Sequence, residues 1–286
     1  MVQITACQIP LIRMNSFSDF EKQVRSIFKH VPKESDYVVL PELCTLGLLT
    51  TYEDFEKIPI TEYKRLCEYL DDYKSLFTSL AKERNQIIIA GTTLEAEGNQ
   101  IFNTAYIFDA SGEVLSHRKT HIFPAEAQWH TVEGDALQVF SIGPITFGIA
   151  ICYEIEIPEV ATIYQQQGAD IIFCPSYTFT EHGFWRVRHC AQARAIENQV
   201  YVVHCPTKSE AMGIINPGFG QASILSPCDL PWTANGVLTE ANEEQMVITT
   251  KVSLSKLYEN RQTGAATTVK DRERRKALYR KQSLSF

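Results

Sequence analysis

The segment from Ile145 to Cys174 constrains the fold more than any other part of the sequence. Ile145–Ile151 is an apolar run typical of a buried strand, Pro158 occupies a favourable first position of a helix, and Gly168 marks its end. The next apolar run, Ile171–Cys174, predicts a second buried strand. A strand–turn–helix–strand unit is typical of parallel or mixed sheets, so the segment predicts an α/β protein.

Short β-branched runs alternate with amphipathic stretches along the rest of the 286 residues, without a repeat, a low-complexity tract or a long linker. We therefore predict one domain covering residues 1–286. The predicted strands are Val2–Ile9, Tyr37–Leu40, Ile87–Gly91, Thr104–Asp109, Val114–Arg118, Ile145–Ile151, Ile171–Cys174, Val200–His204, Gln221–Leu225 and Met246–Val252, with a hairpin turn at Asp109–Gly112. The predicted helices are Phe17–His30, Thr61–Arg84, Glu159–Gln167 and Phe184–Asn198.

Charge is unevenly distributed. The net charge is −7, yet residues 270–281 carry seven basic and two acidic side chains. An acidic total argues against a nucleic-acid partner. The basic C-terminal segment, 270–286, is more typical of a solvated terminus or of a segment docked on an acidic partner surface than of a polyanion-binding tail. The chain has neither a secretory signal pattern nor an apolar run approaching the roughly 18 residues that span a bilayer, so we expect a cytoplasmic protein without a membrane partner.

The eight cysteines show no metal or redox pattern. No two lie closer than 15 positions, which excludes the C-x-x-C of thioredoxin-like proteins and of zinc ribbons. Most are expected to be small buried hydrophobes. His117 and His121 have an H-x3-H spacing, but they follow a predicted strand and not a helix, so we predict no metal site.

Three polar residues stand at the carboxyl ends of predicted strands, namely Glu42, Lys119 and Cys152. This edge of an α/β sheet is where ligands bind and functional side chains converge. A thiol nucleophile, a carboxylate that exchanges protons and an ammonium that stabilises negative charge would form a hydrolytic set. Each of these residues taken alone has a more common structural explanation. A glutamate after a strand is usually a cap or loop charge, a lysine is usually solvated, and a cysteine that ends an apolar strand usually lies in the core.

The local sequences favour the hydrolytic interpretation. Pro-Glu-Leu-Cys-Thr-Leu-Gly around Glu42, His-Arg-Lys-Thr-His-Ile-Phe-Pro around Lys119 and Ala-Ile-Cys-Tyr-Glu around Cys152 resemble, in order and spacing, the signature segments of the nitrilase superfamily of carbon–nitrogen hydrolases. The resemblance extends to Arg274–Tyr279, near the end of the chain. It implies a four-layer α-β-β-α sandwich, a homodimer or higher homo-oligomer on which the C-terminal segment docks, and no metal or organic cofactor.

The resemblance also implies residue roles. Cys152 would attack an amide carbon as a thiolate favoured by Lys119 and a nearby helix terminus, and Glu42 would carry protons. The oxyanion would lie between Lys119 and a backbone N–H near Tyr153. Glu126 corresponds to a second glutamate that supports the lysine in many members of the superfamily. The alternative is that Glu126 has no role in the site and is an exposed acidic residue in a loop.

Substrate preference is less constrained. Nitrilases commonly have Trp directly after the nucleophile, whereas this chain has Tyr153 after Cys152, as in the amidase branches. The resemblance implies that the segment Tyr177–Arg188 borders the pocket. There, Arg186 or Arg188 would bind a substrate carboxylate, or would be a structural helix charge.

We therefore expect a cysteine-dependent amidase that converts a small amide to a carboxylic acid and ammonia through a thioester. An N-carbamoyl amidohydrolase, a nitrilase or an acyltransferase on the same scaffold remains open. A non-catalytic amidase-like binding protein is the alternative from another class; rapid, selective alkylation of Cys152 would argue against it.

Overall fold

The computed structural model describes residues 1–242 and 245–282, so residues 283–286 of the basic C-terminal segment lie outside the described residues. The strands are β1 Val2–Cys7, β2 Tyr37–Val39, β3 Ile87–Glu97, β4 Gln100–Phe108, β5 Val114–Arg118, β6 Phe140–Ile142, β7 Ile145–Ile149, β8 Ile171–Ser176, β9 Tyr201–Pro206, β10 Ser223–Leu225, β11 Val237–Glu240 and β12 Val247–Val252. The α-helices are α1 Phe17–Phe28, α2 Leu70–Arg84, α3 Pro158–Gln166, α4 Glu181–Asn198, α5 Leu254–Thr263 and α6 Thr268–Lys281.

The strands form two six-stranded mixed sheets. The first has the order β12-β1-β2-β3-β4-β5 and the second the order β11-β10-β9-β8-β7-β6. In each sheet three central strands are parallel, β1-β2-β3 and β7-β8-β9, and antiparallel strands extend the sheet on both sides. The carboxyl ends of the parallel strands are therefore available for a site, as the sequence predicts.

The alternation of side chains along β2 shows how the layers are built. Tyr37 and Val39 point into the core between the sheets, where the Tyr37 ring lies 6.0 Å from the Phe147 ring. Val38, on the opposite face, packs in the core beneath α1 and α2. Helices α3 and α4 cover the outer face of the second sheet. The predicted four-layer α-β-β-α sandwich in a single domain is confirmed.

Helix α3 approaches the second sheet closely at Gly148. A Cβ at this position would lie 2.5 Å from the ring of Tyr164, so only glycine leaves room for that ring. The Tyr164 hydroxyl donates to the Ile149 carbonyl at 2.7 Å. This contact fixes α3, and with it the turn that joins β7 to α3.

Several predicted elements differ from the structure. The helix predicted over Thr61–Arg84 is wrong in its first part, because Ile60–Tyr69 is a 3₁₀ helix that precedes α2. Strands β3 and β4 are longer than predicted and form a hairpin that turns at Gly98. The short strands β6 and β11 and the helices α5 and α6 lie outside the predicted elements.

The cysteines agree with the expectation that most of them are buried. All eight are free, and five of them are buried: Cys7, Cys44, Cys152, Cys174 and Cys205. Cys228 is exposed, so it is not one of the expected buried thiols. Across the part of the chain that the structure describes, no helix has the length and apolarity needed to cross a membrane.

Candidate active site

The three residues singled out at strand ends meet in the structure. Glu42 follows β2, Lys119 follows β5, and Cys152 begins a short 3₁₀ helix, Cys152–Glu156, after β7. The Lys119 Nζ donates to Glu42 Oε1 at 2.8 Å, and both charged groups lie close enough to the Cys152 thiol to shift its pKa. Residues from both sheets thus form one buried cluster.

Two further residues complete the cluster. Glu126, the predicted second glutamate, is buried and accepts a hydrogen bond from Lys119 Nζ, so it is not an exposed loop acid. Asn103, on β4, donates through Nδ2 to Glu42 Oε1 at 2.9 Å and to Glu126 Oε1 at 2.8 Å. Lys119 and Asn103 therefore both bridge the two carboxylates, which fixes the carboxylates relative to each other.

The nucleophile candidate occupies an unusual backbone conformation. Cys152 has a φ of 48°, in the left-handed region that costs a non-glycine residue about 1 kcal/mol or more. Its thiol donates to the Tyr177 carbonyl at 3.7 Å. Such a turn presents the side chain at the end of the strand, and the surrounding hydrogen bonds must hold it there.

The resting thiol is neutral. Burial raises the pKa of Cys152 well above its usual value, the Glu42 carboxylate raises it further, and the Lys119 ammonium only partly opposes them. This differs from the expectation of a stabilised thiolate. Because burial and the neighbouring carboxylate outweigh the lysine, a nucleophilic role for Cys152 would require a base to remove the thiol proton.

The pKa values of the two charged partners are also shifted. Burial raises the pKa of Glu42, with Lys119 opposing and Glu126 adding to the increase. For Lys119, burial acts to lower the pKa, but Glu126 and Glu42 together hold it well above its usual value. Lys119 is therefore a permanent cation, whereas Glu42 is a carboxylate whose proton affinity suits proton transfer.

Cys152 opens onto a cavity of about 250 Å³. Aromatic rings form much of its wall, and Arg186 lies in the wall with its Nε donating to Glu156 at 2.7 Å. The lining residues are Phe123, Cys152, Tyr153, Glu156, Tyr177, Thr178, Phe179, Thr180, Gly183, Arg186 and Val187. Larger grooves exist elsewhere on the surface, but they contain none of the clustered residues.

The structure brings most of the candidate binding residues to this cavity. Tyr153, Tyr177 and Arg186 all line it. Arg188 does not, because its Nε donates to Glu240 at 3.2 Å, away from the cavity. The alternative of a structural helix charge therefore describes Arg188 better than a carboxylate-binding role.

Sequence reasoning missed Asn103, His117 and Glu154 as parts of the site. His117 donates to the buried Glu154 carboxylate, and His121 contacts Thr120, so the two histidines do not form a pair. Within residues 1–242 and 245–282, no group of three or more His, Cys, Asp or Glu side chains could hold a metal ion. The H-x3-H spacing draws attention to His117 only as a metal-ligand pattern, and only the fold reveals its partner Glu154.

Comparison with known proteins shows the family to which this chain belongs. The carbon-nitrogen hydrolase family model matches residues 3–262, so the chain belongs to that family. This confirms the resemblance to the nitrilase superfamily.

Individual proteins agree with this assignment. The probable hydrolase YhcX of Bacillus subtilis is 37% identical over 96% of this chain, which spans only 54% of that longer protein. The omega-amidase NIT2-A of Xenopus laevis is 29% identical, with 86% of each chain covered. A carbon-nitrogen hydrolase from Helicobacter pylori has the same fold, with a TM-score of 0.77 and 19% identity over 100% of this chain and 99% of that one.

Proposed function

We propose that the protein is a cysteine-dependent amidase that hydrolyses a small amide to a carboxylic acid and ammonia. One observation carries the proposal: Cys152 lines a cavity, and the buried Glu42–Lys119 pair is close enough to shift the pKa of its thiol. The thiol is a nucleophile, the carboxylate is a base, and the ammonium is a fixed positive charge, which is what acyl transfer requires.

In the acylation step, Glu42 takes the thiol proton while the Cys152 sulfur attacks the amide carbon. The carbonyl oxygen becomes an oxyanion, which the Lys119 ammonium and the Tyr153 backbone N–H stabilise. Glu42 then donates its proton to the departing amine, the carbon–nitrogen bond breaks, and ammonia leaves a thioester on Cys152. The raised pKa of Glu42 strengthens it as the base that takes the thiol proton, and a pKa shifted towards neutral pH still lets the carboxyl group return that proton.

In the deacylation step, water attacks the thioester carbon while Glu42 takes one of its protons. The same cation and N–H stabilise the second oxyanion. The carbon–sulfur bond then breaks, the carboxylic acid leaves, and the proton on Glu42 returns to the sulfur. Glu126 and Asn103 hold Glu42 and Lys119 in place throughout.

The cavity supports a small substrate with a carboxylate at the end distant from the amide. A volume of about 250 Å³ excludes a large ligand. Arg186 is oriented by its hydrogen bond to Glu156, and its two Nη groups make no hydrogen bond with any residue that the structure describes. They would receive such a carboxylate bidentately. The name of the omega-amidase relatives is consistent with a substrate of this kind.

Ammonia release from a panel of amides, carbamoyl compounds and nitriles tests the proposal. We expect hydrolysis of short amides, and loss of at least about 10³-fold in rate for Cys152→Ala with the fold intact by circular dichroism. Cys228→Ala, at the exposed cysteine, is the matched control and should retain activity. Wild-type rates for Cys152→Ala would contradict the assignment of the nucleophile.

The same panel separates the alternatives. Preferential turnover of a carbamoyl compound or a nitrile would reassign the substrate class and keep the nucleophile. Transfer of the acyl group to an added amine would indicate an acyltransferase. Binding of an amide with no turnover, together with slow and uniform alkylation of all cysteines, would favour a non-catalytic binding protein.

A further inference from the structure

Glu154 is a buried carboxylate that joins the two turns of the candidate active site. It lies two residues after Cys152 and is fully inaccessible to solvent. Its carboxylate accepts hydrogen bonds from the backbone N–H of Ile151 at 2.6 Å and from the backbone N–H of Thr120 at 2.8 Å. Ile151 directly precedes the nucleophile, and Thr120 directly follows Lys119, so one side chain ties both turns together.

The same carboxylate has two further donors. The Thr120 hydroxyl donates at 2.6 Å, and the ring Nε2 of the buried His117 donates at 3.0 Å. His117 is on β5, whose end carries Lys119. Burial acts to raise the pKa of Glu154, but His117 and Thr120 more than offset it and hold the pKa below its usual value. Glu154 is therefore an ionised acceptor at neutral pH.

Burying a carboxylate is costly because the charge loses its hydration, and here four hydrogen bonds offset that cost while they fix the groups that donate them. Glu154 holds the backbone next to the Lys119 ammonium and next to the Cys152 sulfur. In the proposed mechanism, the distance between these two groups determines how well the oxyanion is stabilised. A displacement of about 1 Å at such a position costs about 100-fold in rate.

We propose that Glu154 and His117 are positioning residues that fix the Lys119 ammonium relative to the Cys152 sulfur. Neither residue touches the substrate. The inference rests on the proposed function, because it takes Cys152 as the nucleophile. It gives His117, which lies outside the catalytic cluster, a role in the rate of the chemical step.

Paired variants of His117 test this role. His117→Gln retains an amide donor near the position of the ring Nε2, whereas His117→Phe removes the donor and keeps the bulk. We expect His117→Phe to lower kcat by roughly 10- to 100-fold with little change in KM, and His117→Gln to recover most of the loss. His30→Phe, at an exposed histidine, is the matched control and should retain wild-type kcat.

The rate of Cys152 alkylation by iodoacetamide, measured on folded protein and mapped by peptide mass, provides a readout that needs no substrate. We expect a changed rate at Cys152 in His117→Phe and a wild-type rate in His117→Gln. If no amide were hydrolysed by the wild type, this result would still support the positioning role while the proposed function failed.

The opposite results would overturn the inference. If His117→Phe lowered only the melting temperature and left kcat and the alkylation rate unchanged, the pair would be structural. If His117→Gln and His117→Phe were equally impaired, the hydrogen bond would not be the cause. If His117→Phe did not fold, Thr120→Val, which removes only the hydroxyl donor, and Thr120→Ser, which restores it, would give the same comparison.

Discussion

Cys152 is held in surroundings that suppress its ionisation. Its thiol is buried near the Glu42 carboxylate and its pKa is raised, so in the proposed mechanism the reactive thiolate forms only when Glu42 takes the proton. At the scale of single residues, therefore, the Cys152 nucleophile and the Glu42 base act as one unit in the proposed mechanism. Lys119 lowers the thiol pKa less than burial and Glu42 raise it, so the proposed role of Lys119 is mainly to stabilise the oxyanion.

This coupling predicts opposite effects of Glu42→Gln on two properties. Removing the carboxylate charge removes one cause of the raised thiol pKa, so the apparent pKa for Cys152 alkylation should fall. Amide hydrolysis should nevertheless fall by roughly 10²- to 10⁴-fold, because the base is lost. A pH series of iodoacetamide labelling beside an ammonia assay measures both; an unchanged or higher alkylation pKa would show that Glu42 does not control the thiol.

Arg186 supplies a prediction about specificity. Arg186→Gln should raise KM by about tenfold for an amide with a distal carboxylate and leave KM for a neutral amide of equal length unchanged. The expected contribution of Arg186 to substrate binding is modest because its side chain is 48% exposed and solvent screens the ion pair. Arg188→Gln is the matched control, since Arg188 lies outside the cavity. Equal effects on both substrates would exclude a carboxylate-binding role for Arg186.

How much of the site could be predicted depends on the range of each contact. Glu42, Lys119 and Cys152 follow strands and lie within local motifs, so the sequence revealed them. Asn103 gave no local signal, because it lies within a strand and its two carboxylate partners are 61 and 23 residues away. The pairing of His117 with Glu154, 37 residues apart, likewise depends on how the two sheets face each other.

At the scale of elements, the strands and helices with a clear apolar pattern were predictable, whereas the edges of the sheets were not. Strands β6 and β11 lie at the two edges of the second sheet and have only three and four residues. Their apolar–polar alternation is too short to identify a strand from sequence. Helix α6 has no buried residue and hence no apolar face to detect. In the 3₁₀ helix, Ile60, Tyr63, Leu66 and Tyr69 recur every three residues, a spacing that fits three residues per turn.

The contact between α3 and β7 gives a prediction at this scale. Gly148→Ala would place a Cβ 2.5 Å from the Tyr164 ring, so we expect a loss of about 1–3 kcal/mol in the free energy of unfolding measured with urea. Gly98→Ala is the control: no atom lies within 4 Å of its Cβ position, so its cost should come only from the positive φ, about 1 kcal/mol. A neutral Gly148→Ala would show that α3 is free to move.

At the scale of the whole molecule, the sandwich brings together residues that are distant in the chain. Glu42 and Lys119 follow strands of the first sheet, and Cys152 follows a strand of the second, so the site exists only when both sheets pack. Helix α6 lies beyond the residues that match the family, and Arg272 attaches it to the body by donating to Asn198 Oδ1 at 3.0 Å and to the Glu197 carbonyl at 2.7 Å. Its remaining basic side chains face outward.

We predict a homodimer in which this basic helix contacts the partner. Light scattering should give twice the 32.4 kDa mass of one chain. Charge reversal at the exposed Arg275 and Arg280 should weaken the dimer, more so at low salt, while reversal at exposed Lys29 on the opposite layer should not. A monomeric wild type, or equal effects of the two changes, would contradict this arrangement.

The thioester is the species that tests the account most directly. Acid-quenched protein, taken during turnover of a short amide, should show by intact mass one added acyl group, which peptide mapping assigns to Cys152. The adduct should be absent from Cys152→Ala and present in Cys228→Ala. Ammonia release without any adduct at Cys152, or an acyl group on another cysteine, would contradict the proposed nucleophile and mechanism.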